Sequence, residues 1–297
     1  MPIIAAPATP GKAVYNGVIT SERGRAMPKL RIDPTLEMHY EVDDFADPWS
    51  QPQVAILHHG VGKSGRLWYA WVPHLARHFR VYRPDARGFG QSSVPPSEYH
   101  PSLNGFVQDL RAFMDKLGIQ KAHLVGETFG GTICLKFAHD YPERVRSLVF
   151  CAAPYTFADL KPRLPEELRL LREEGTPAWA KFTNAGRFNP EQVPPGLSEW
   201  YLGEMSMAHP RVMIGVISQL AGIDLTPLLP EVRVPTLIMG GEKSILAPPP
   251  RLEAMKQVMP KAEVTIIPGA QHHIQTAFAD RCAQEAATFM LKAAASG

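Results

Sequence analysis

The chain has 297 residues, of which 45% are hydrophobic and 20% are charged. These values suit one large globular domain that carries an insertion, and they exclude a disordered chain. The formal net charge of +2 gives no reason to expect binding to nucleic acid or to an anionic membrane.

The N-terminal segment, the apolar runs and the cysteines bear on the cellular location of the protein. No apolar run is long enough to span a bilayer. Residues 1–28 lack a basic stretch followed by a long apolar core, so they do not resemble a signal peptide, and their prolines predict a loosely ordered arm. Cys134, Cys151 and Cys282 have neither zinc-ligand nor CxxC spacing. Reduced thiols and a cytoplasmic location are the resulting prediction.

Short apolar runs alternate with helical patterns through the first half of the chain. The pattern predicts strands at residues 54–58, 79–82, 122–125 and 147–151, with helices at 67–78, 102–117 and 130–141. Strands that alternate with helices indicate a parallel sheet covered on both faces.

This alternation stops between residues 155 and 230, where helical fragments rich in aromatic and methionine side chains follow. It resumes with strands at 235–239 and 263–267 and helices at 250–259 and 275–292. The sequence therefore predicts an α/β core, with a mostly parallel sheet, built from residues 29–154 and 231–297. A helical cap of residues 155–230 interrupts it.

The sharpest motif is Gly126-Glu127-Thr128-Phe129-Gly130, which lies between a predicted strand and a predicted helix. It matches the nucleophile elbow, G-x-S-x-G, except that threonine replaces serine. The flanking glycines allow a very tight turn that lifts the central side chain to the carboxyl edge of the sheet. The amide after it then points to where anionic charge is favoured, at a helix start.

Three further motifs follow predicted strands in chain order: His59-Gly60, then DARGFGQS at residues 85–92, then PGAQH at residues 268–272. As an ordered set with the elbow, they resemble the α/β-hydrolase superfamily from about Lys29 onward. The likeness is closest to the cap-bearing hydrolases, which include enol-lactonases, esterases and C–C bond hydrolases.

The resemblance implies a role for each matching position. Thr128 stands at the nucleophile position and His272 at the general base position. The amides of Val61 and Phe129 would form the oxyanion hole. The expected substrate-binding positions are His59, Gly60, Glu127 and Trp179. Glu127 either lines the pocket or braces the elbow, and Asp85 and Arg87 are expected to fix their loop.

The sequence departs from the family at the nucleophile. A threonine hydroxyl attacks a carbonyl once a base removes its proton. However, a β-branched residue tolerates a strained elbow less well, and its methyl group crowds the attack path. The alternatives are that Thr128 only hydrogen-bonds the substrate, or that it is a dead nucleophile in a retained fold.

The triad acid is the second departure. Ser244 stands where the family has an aspartate, and the strand after the elbow ends in Cys151-Ala-Ala153, without a carboxylate. Glu242 is the nearest replacement and is our candidate acid, with Asp159 and Asp224 as more distant candidates. If Ser244 orients the imidazole instead, His272 should be a weaker base.

Two motifs that suggest cofactors are misleading. Gly62-Lys63-Ser64 resembles the end of a phosphate-binding loop, but Leu57 stands where that pattern requires glycine. The adjacent pairs His58-His59 and His272-His273 point their side chains in different directions on extended chain, which is unsuited to a metal clamp. We expect His58 and His273 to pack as structural residues. No metal and no organic cofactor is predicted.

The predicted cap covers the site. Its aromatic and methionine side chains either form the core of the cap or face the cleft, where they suit a small-molecule substrate with an apolar or aromatic body. Arg187 and Lys181 either bind a substrate carboxylate or are solvated surface charges. The favoured function is hydrolysis of an ester, a lactone or a related activated carbonyl bond. The alternatives are general-base C–C cleavage or decarboxylation by His272, and ligand binding by a degenerate site. The sequence leaves the oligomeric state open, a homodimer included.

Overall fold

The computed structural model describes residues 28–295, so the predicted N-terminal arm lies, except for Pro28, outside the described residues. Its centre is a sheet whose strands are β1 (Lys29–Asp33), β2 (Leu36–Asp43), β3 (Gln53–His58), β4 (Phe79–Pro84), β5 (Ala122–Glu127), β6 (Val145–Cys151), β7 (Thr236–Gly241) and β8 (Ala262–Ile267). The strand order is β1-β2-β4-β3-β5-β6-β7-β8.

The sheet is parallel from β4 to β8, and β1 and β2 add an antiparallel hairpin at one edge. The six parallel strands are the ones that the apolar runs predict. The hairpin strands were not predicted, because they alternate polar and apolar residues over short runs, as in Lys29–Asp33. Such strands need an apolar side chain only on their covered face.

The helices are α1 (Val72–Leu75), α2 (Leu103–Lys116), α3 (Phe129–Asp140), α4 (Leu164–Glu173), α5 (Gly175–Phe182), α6 (Leu197–Ser206), α7 (Pro210–Leu220), α8 (Pro249–Val258), α9 (Ile274–Ala277) and α10 (Ala279–Ala295). Two predicted helices are divided. The first becomes a 3-10 turn at Gly65–Trp68 followed by α1, since Pro73 favours a fresh helix start. The last breaks at Phe278, whose φ of −126° and ψ of 42° are not helical.

The insertion between β6 and β7 consists of α4 to α7 with short 3-10 turns. Its two ends meet in an isolated antiparallel bridge between Thr156 and Asp224, where the Leu225 amide donates to the Tyr155 carbonyl at 2.8 Å. The predicted α/β class, a mostly parallel sheet with a helical insertion, is thereby confirmed. None of the described helices is long and apolar enough to cross a membrane.

A buried carboxylate, Asp85, fixes the loop that follows β4. Its Oδ1 accepts the Gly65 amide at 2.7 Å, and its Oδ2 accepts the Gln91 amide at 2.8 Å and lies 2.7 Å from His39 Nδ1. Burial opposes ionisation, but the hydrogen bonds from His39 and from the loop amides hold the pKa of Asp85 below its usual value. The carboxylate is therefore ionised and joins three segments beneath the sheet edge.

We expect Asp85→Ala to lower the free energy of unfolding by about 3 kcal/mol, because it leaves the buried Gly65 amide, the part-buried Gln91 amide and the buried His39 ring without their acceptor. Urea denaturation would measure this change. Asp280→Ala is the matched control, since that carboxylate is exposed beside His74, and it should leave the midpoint nearly unchanged. Equal midpoints for both variants would contradict the assigned role of Asp85.

Candidate active site

The turn between β5 and α3 holds Thr128 in a strained conformation. Its φ of 47° and ψ of −124° lie in a region that β-branched residues rarely adopt. The neighbouring glycines explain why the turn persists: a Cβ on Gly126 would lie 2.6 Å from the Gly130 carbonyl oxygen, and a Cβ on Gly131 would overlap Ala153. Thr128 therefore stands at the start of α3, at the carboxyl edge of the sheet, as the motif predicts.

Two backbone amides in the same part of the molecule have no acceptor among the described residues. Within residues 28–295, neither the Val61 nor the Phe129 amide donates to a protein acceptor, and both residues line the same cavity as Thr128. The Phe129 amide is at the N-terminus of α3, where the helix dipole favours negative charge. Gly60 lies directly against the Thr128 hydroxyl, because a Cβ there would overlap Thr128 Oγ1. These positions are suited to holding an oxyanion.

His272 is buried in the loop after β8, and its Nδ1 lies 2.9 Å from Ser244 Oγ. The Ser244 oxygen also accepts the Ala247 amide at 3.1 Å. The exposed Glu242 carboxylate instead accepts the Gly269 amide at 2.7 Å. The structure therefore places Ser244, and not Glu242, against His272.

The two more distant acid candidates also lie elsewhere. Asp159 pairs with Arg251 at the surface, and Asp224 accepts the Thr226 amide at 2.9 Å. No described carboxylate contacts the imidazole. The residue that orients His272 is thus an uncharged hydroxyl, at the position where the family pattern requires an acid.

The surroundings of His272 disfavour its protonation. Burial, followed by the positive charges of Lys63 and Arg187, lowers the pKa of His272 from 6.5 to about 3. Its Nε2 is buried and has no partner among the described residues. Thr128 and His272 line one cavity, although no hydrogen bond joins the Thr128 hydroxyl to Nε2. Such contacts are often long before substrate binds.

Glu127 contacts the loop that follows β3 (residues 59–63), here called the oxyanion loop, and it is not among the residues that line the cavity. Its Oε1 accepts the Gly60 amide, and its Oε2 contacts Lys63 Nζ at 2.6 Å and Gln275 Nε2 at 2.7 Å. The side chain joins the elbow to the oxyanion loop and to Gln275 in α9. This helix directly follows the loop that carries His272 and His273 (residues 268–273), here called the histidine loop. Of the two roles left open by the sequence, this arrangement is that of a brace.

His59, expected among the substrate-binding residues, has both ring nitrogens occupied by backbone. Its Nδ1 donates to the Gly60 carbonyl at 2.8 Å, and its Nε2 accepts the Ala86 amide at 2.9 Å. His58 similarly bonds the His59 carbonyl at 3.0 Å. Both rings are buried, and neither lines the cavity. They hold the oxyanion loop in place.

The cavity above Thr128 has a volume of about 310 Å³ and is covered by the helical insertion. Trp179, the remaining expected contact, lines it and donates from Nε1 to Glu167 Oε2 at 2.9 Å. Most of the wall is apolar, and its other large apolar members are Phe129, Phe157, Leu160, Phe182, Met205, Ile217, Leu220, Ile245 and Leu246.

Three cations, Lys63, Arg163 and Arg187, also line the cavity. Lys63 belongs to the misleading phosphate-loop pattern, and Arg163 was not singled out. Arg187 is only 6% exposed, so it is not a solvated surface charge. Lys181, in contrast, is exposed and lies outside the cavity. Burial of charge depends on how the cap helices sit on the core, which local sequence patterns do not report.

His273, beside His272, joins these groups into a network. Its Nδ1 lies 2.9 Å from the Tyr201 hydroxyl, 3.1 Å from Gln275 Nε2 and 3.2 Å from Lys63 Nζ. Because its neighbours are all potential donors, this nitrogen is the acceptor. Burial, followed by the Lys63 charge, keeps the pKa of His273 well below 6.5. The backbone amide of His273 donates to the Arg187 carbonyl at 2.7 Å, so the cap and the histidine loop are tied together.

We expect His272 to stay neutral across about pH 5 to 8, since its environment favours the uncharged ring. Ser244→Asp should raise the pKa of His272 by about one to three pH units, because a carboxylate at Nδ1 stabilises the imidazolium. Titration of the ring nitrogens by ¹⁵N NMR would measure both values. Ser218→Asp, on the exposed face of α7, is the matched control, and a wild-type His272 titrating near 6.5 would contradict the assignment.

Comparison with known proteins finds similarity to hydrolases of one fold family. The profile of the alpha/beta hydrolase fold family matches residues 54–276. A 2-hydroxy-6-oxo-6-phenylhexa-2,4-dienoate hydrolase from Burkholderia cepacia is 28% identical over 244 residues, which cover 77% of this chain and 85% of that protein. A putative carbamate hydrolase from a Caulobacter species is 28% identical over 240 residues, covering 76% and 85%.

Solved structures agree on the fold. The enol-lactonase from Burkholderia xenovorans superposes with a TM-score of 0.81 at 22% identity, over 89% of this chain and all of that one. The malate-bound esterase from Thermogutta terrifontis superposes with a TM-score of 0.78 at 25% identity, over 87% and 94%. Since the family profile spans more than half of the chain, this protein belongs to the alpha/beta hydrolase fold family.

Proposed function

We propose that the protein hydrolyses esters or lactones of small organic acids, with Thr128 as nucleophile and His272 as general base. The observation that carries this proposal is the position of the Thr128 hydroxyl. It stands at a strained elbow, and the nearby amides of Val61 and Phe129 have no acceptor among the described residues. The same cavity holds His272, whose Nε2 has no hydrogen-bond partner there. The similarity to hydrolases supports hydrolysis as the general class of reaction.

The proposed chemistry has two stages. In the first, His272 Nε2 takes the hydroxyl proton as Thr128 Oγ1 bonds to the carbonyl carbon, and the amides of Val61 and Phe129 hold the oxyanion. Collapse breaks the carbon–oxygen bond of the ester, and the leaving alkoxide takes the proton from His272. In the second, His272 deprotonates a water that attacks the acyl carbon, and Thr128 departs with that proton. An acid and an alcohol result, or one hydroxy acid from a lactone.

The uncharged partner of His272 limits which esters can react. A triad acid stabilises the imidazolium that forms during attack, and its replacement by a neutral side chain can slow a triad enzyme by about 10⁴-fold. Ser244 supplies a hydrogen bond but no negative charge. We therefore expect substrates whose leaving groups are stable anions, such as phenols and enols, because they require little help from the base.

The cavity also suggests the shape of the substrate. The mostly apolar wall of the cavity suits a substrate with an apolar or aromatic body. The buried Arg187 makes no ion pair with any described carboxylate. A carboxylate on the substrate would give it one. The names of two relatives point the same way: one acts on a dienoate, and one was solved with malate.

A second reaction fits one observation equally well. Since no hydrogen bond joins the Thr128 hydroxyl to His272, the imidazole could act alone as a general base for C–C cleavage or decarboxylation. Thr128 would then only hydrogen-bond the substrate. A binding protein with a degenerate site is the third outcome.

Thr128→Ala should reduce kcat/KM for 4-nitrophenyl esters at least about 100-fold, because no other hydroxyl occupies the elbow. Thr128→Ser should keep or increase the rate, since it retains the hydroxyl and removes the crowding methyl. His272→Gln should be as slow as Thr128→Ala. Release of 4-nitrophenol and mass spectrometry of an acyl adduct on Thr128 would measure these effects.

The control is Thr288→Ala, on the surface of α10, which should match the wild type. Activity that survives Thr128→Ala but is lost in His272→Gln would favour the general-base reaction. If the wild type turns over no ester or C–C substrate yet binds an aromatic acid, the protein is a binding protein.

A further inference from the structure

The charges around the cavity are not balanced. Lys63 pairs with Glu127 at 2.6 Å, and Arg163 pairs with Glu167 at 3.4 Å. Arg187 makes no ion pair within the described chain; its guanidinium donates to the Ala180 carbonyl at 3.2 Å and to the Thr183 hydroxyl. A buried cation without a carboxylate partner is unfavourable unless a ligand supplies the anion.

Lys63 and Arg187 both lie close to the aromatic ring of Tyr201. Lys63 Nζ is 5.8 Å and the Arg187 guanidinium carbon is 5.7 Å from the centroid of Tyr201. Both cations line the same cavity as Thr128 and His272. Lys63 directs two N–H groups to Glu127 and His273, which leaves a third donor without a described acceptor. This end of the cavity therefore offers N–H donors from two positive groups.

The same two cations act on His272. They lie close enough to disfavour the imidazolium, and the ring faces Ser244 at Nδ1 and the neutral His273 beside it. The nearby carboxylates, Glu127 and Glu167, are each engaged by another cation. The electrostatic potential at His272 therefore disfavours the imidazolium, whereas the carboxylate of a conventional triad favours it.

We propose that the carboxylate of an anionic substrate binds between Lys63 and Arg187 and supplies the negative charge that the triad lacks, so that His272 is an effective base only when such a substrate is bound. This inference rests on the proposed ester or lactone hydrolysis. The ligand class is an ester or lactone that carries a second, ionised carboxylate.

The arrangement would select substrates through the rate of the chemical step. A carboxylate near Lys63 and Arg187 offsets their effect on His272, so the imidazolium formed during attack is more stable. Because that charge exists only as the reaction proceeds, the benefit falls on kcat and not only on KM. A neutral ester of the same shape would bind in the apolar part of the cavity and react slowly.

A matched pair of substrates tests the selectivity: 4-nitrophenyl hydrogen glutarate, which is anionic, and 4-nitrophenyl methyl glutarate, which is neutral. The wild type should turn over the anionic ester with a kcat at least about tenfold higher. Arg187→Met should remove most of this ratio, whereas Arg187→Lys should keep part of it. Ser244→Asp should raise kcat for the neutral ester and reduce the ratio, because it restores a fixed charge.

Arg169→Met is the control, since that arginine pairs only with surface glutamates of α4 and its neighbour; it should leave the ratio unchanged. Thermal unfolding of each variant would detect misfolding. Equal kcat values for the two esters in the wild type, or an unchanged ratio in Arg187→Met, would overturn the proposal while leaving ester hydrolysis intact.

A second measurement does not depend on turnover. In Thr128→Ala, saturating glutarate should raise the pKa of His272 by about one pH unit or more. Titration of the ring nitrogens by ¹⁵N NMR would measure this change. Calorimetry should show that glutarate binding weakens at least about tenfold when Arg187→Met is added. If neither ester is hydrolysed but both effects occur, the proposed function fails and the anion site stands. No change in His272 on binding overturns the inference.

Discussion

The carboxylate of Glu127 is the contact on which the whole site depends. It directly precedes Thr128 and holds the Gly60 amide, Lys63 and Gln275. Two of these partners lie in the loop after β3 and the third lies in α9, directly after the histidine loop, so one buried group links Thr128 to both loops. A buried carboxylate is stable only when charged and polar donors surround it. Lys63 is therefore as necessary to the brace as Glu127 itself, and it simultaneously places a positive charge in the cavity.

That positive charge sets the chemistry apart from a triad with a fixed acid. A conventional acid at Nδ1 favours the protonated imidazole. Here the hydroxyl of Ser244 orients the ring, while Lys63 and Arg187 oppose its protonation. The same cations favour negative charge on any molecule in the cavity. In the proposed reaction, such negative charges are the tetrahedral oxyanion and an ionised group of the substrate.

The sequence predicted the parallel strands, the helical insertion and the elbow, because each depends on a local pattern of apolar residues or glycines. It also showed serine at the usual acid position, and Ser244 is the residue that lies against His272. Glu242 was wrong as the candidate acid, because it stands two positions before that site and its carboxylate accepts the Gly269 amide. It missed the edge hairpin, whose alternating residues form no apolar run. It also missed the burial of Arg187 and the contact between Lys63 and His273. Both depend on tertiary contacts between the cap and two loops that are distant in the sequence, and a local sequence pattern does not predict such contacts.

The hydroxyl of Ser244 has a consequence for the resting state of the ring. A carboxylate accepts hydrogen bonds only, so it fixes the proton on Nδ1 of its histidine. A serine oxygen that already accepts the Ala247 amide still has one lone pair and one proton to offer. It can accept from Nδ1–H or donate to a bare Nδ1, and the two tautomers of His272 are both hydrogen-bonded. One and the same imidazole is thus able to meet an incoming molecule either as proton acceptor or as proton donor, and the molecule itself selects between them.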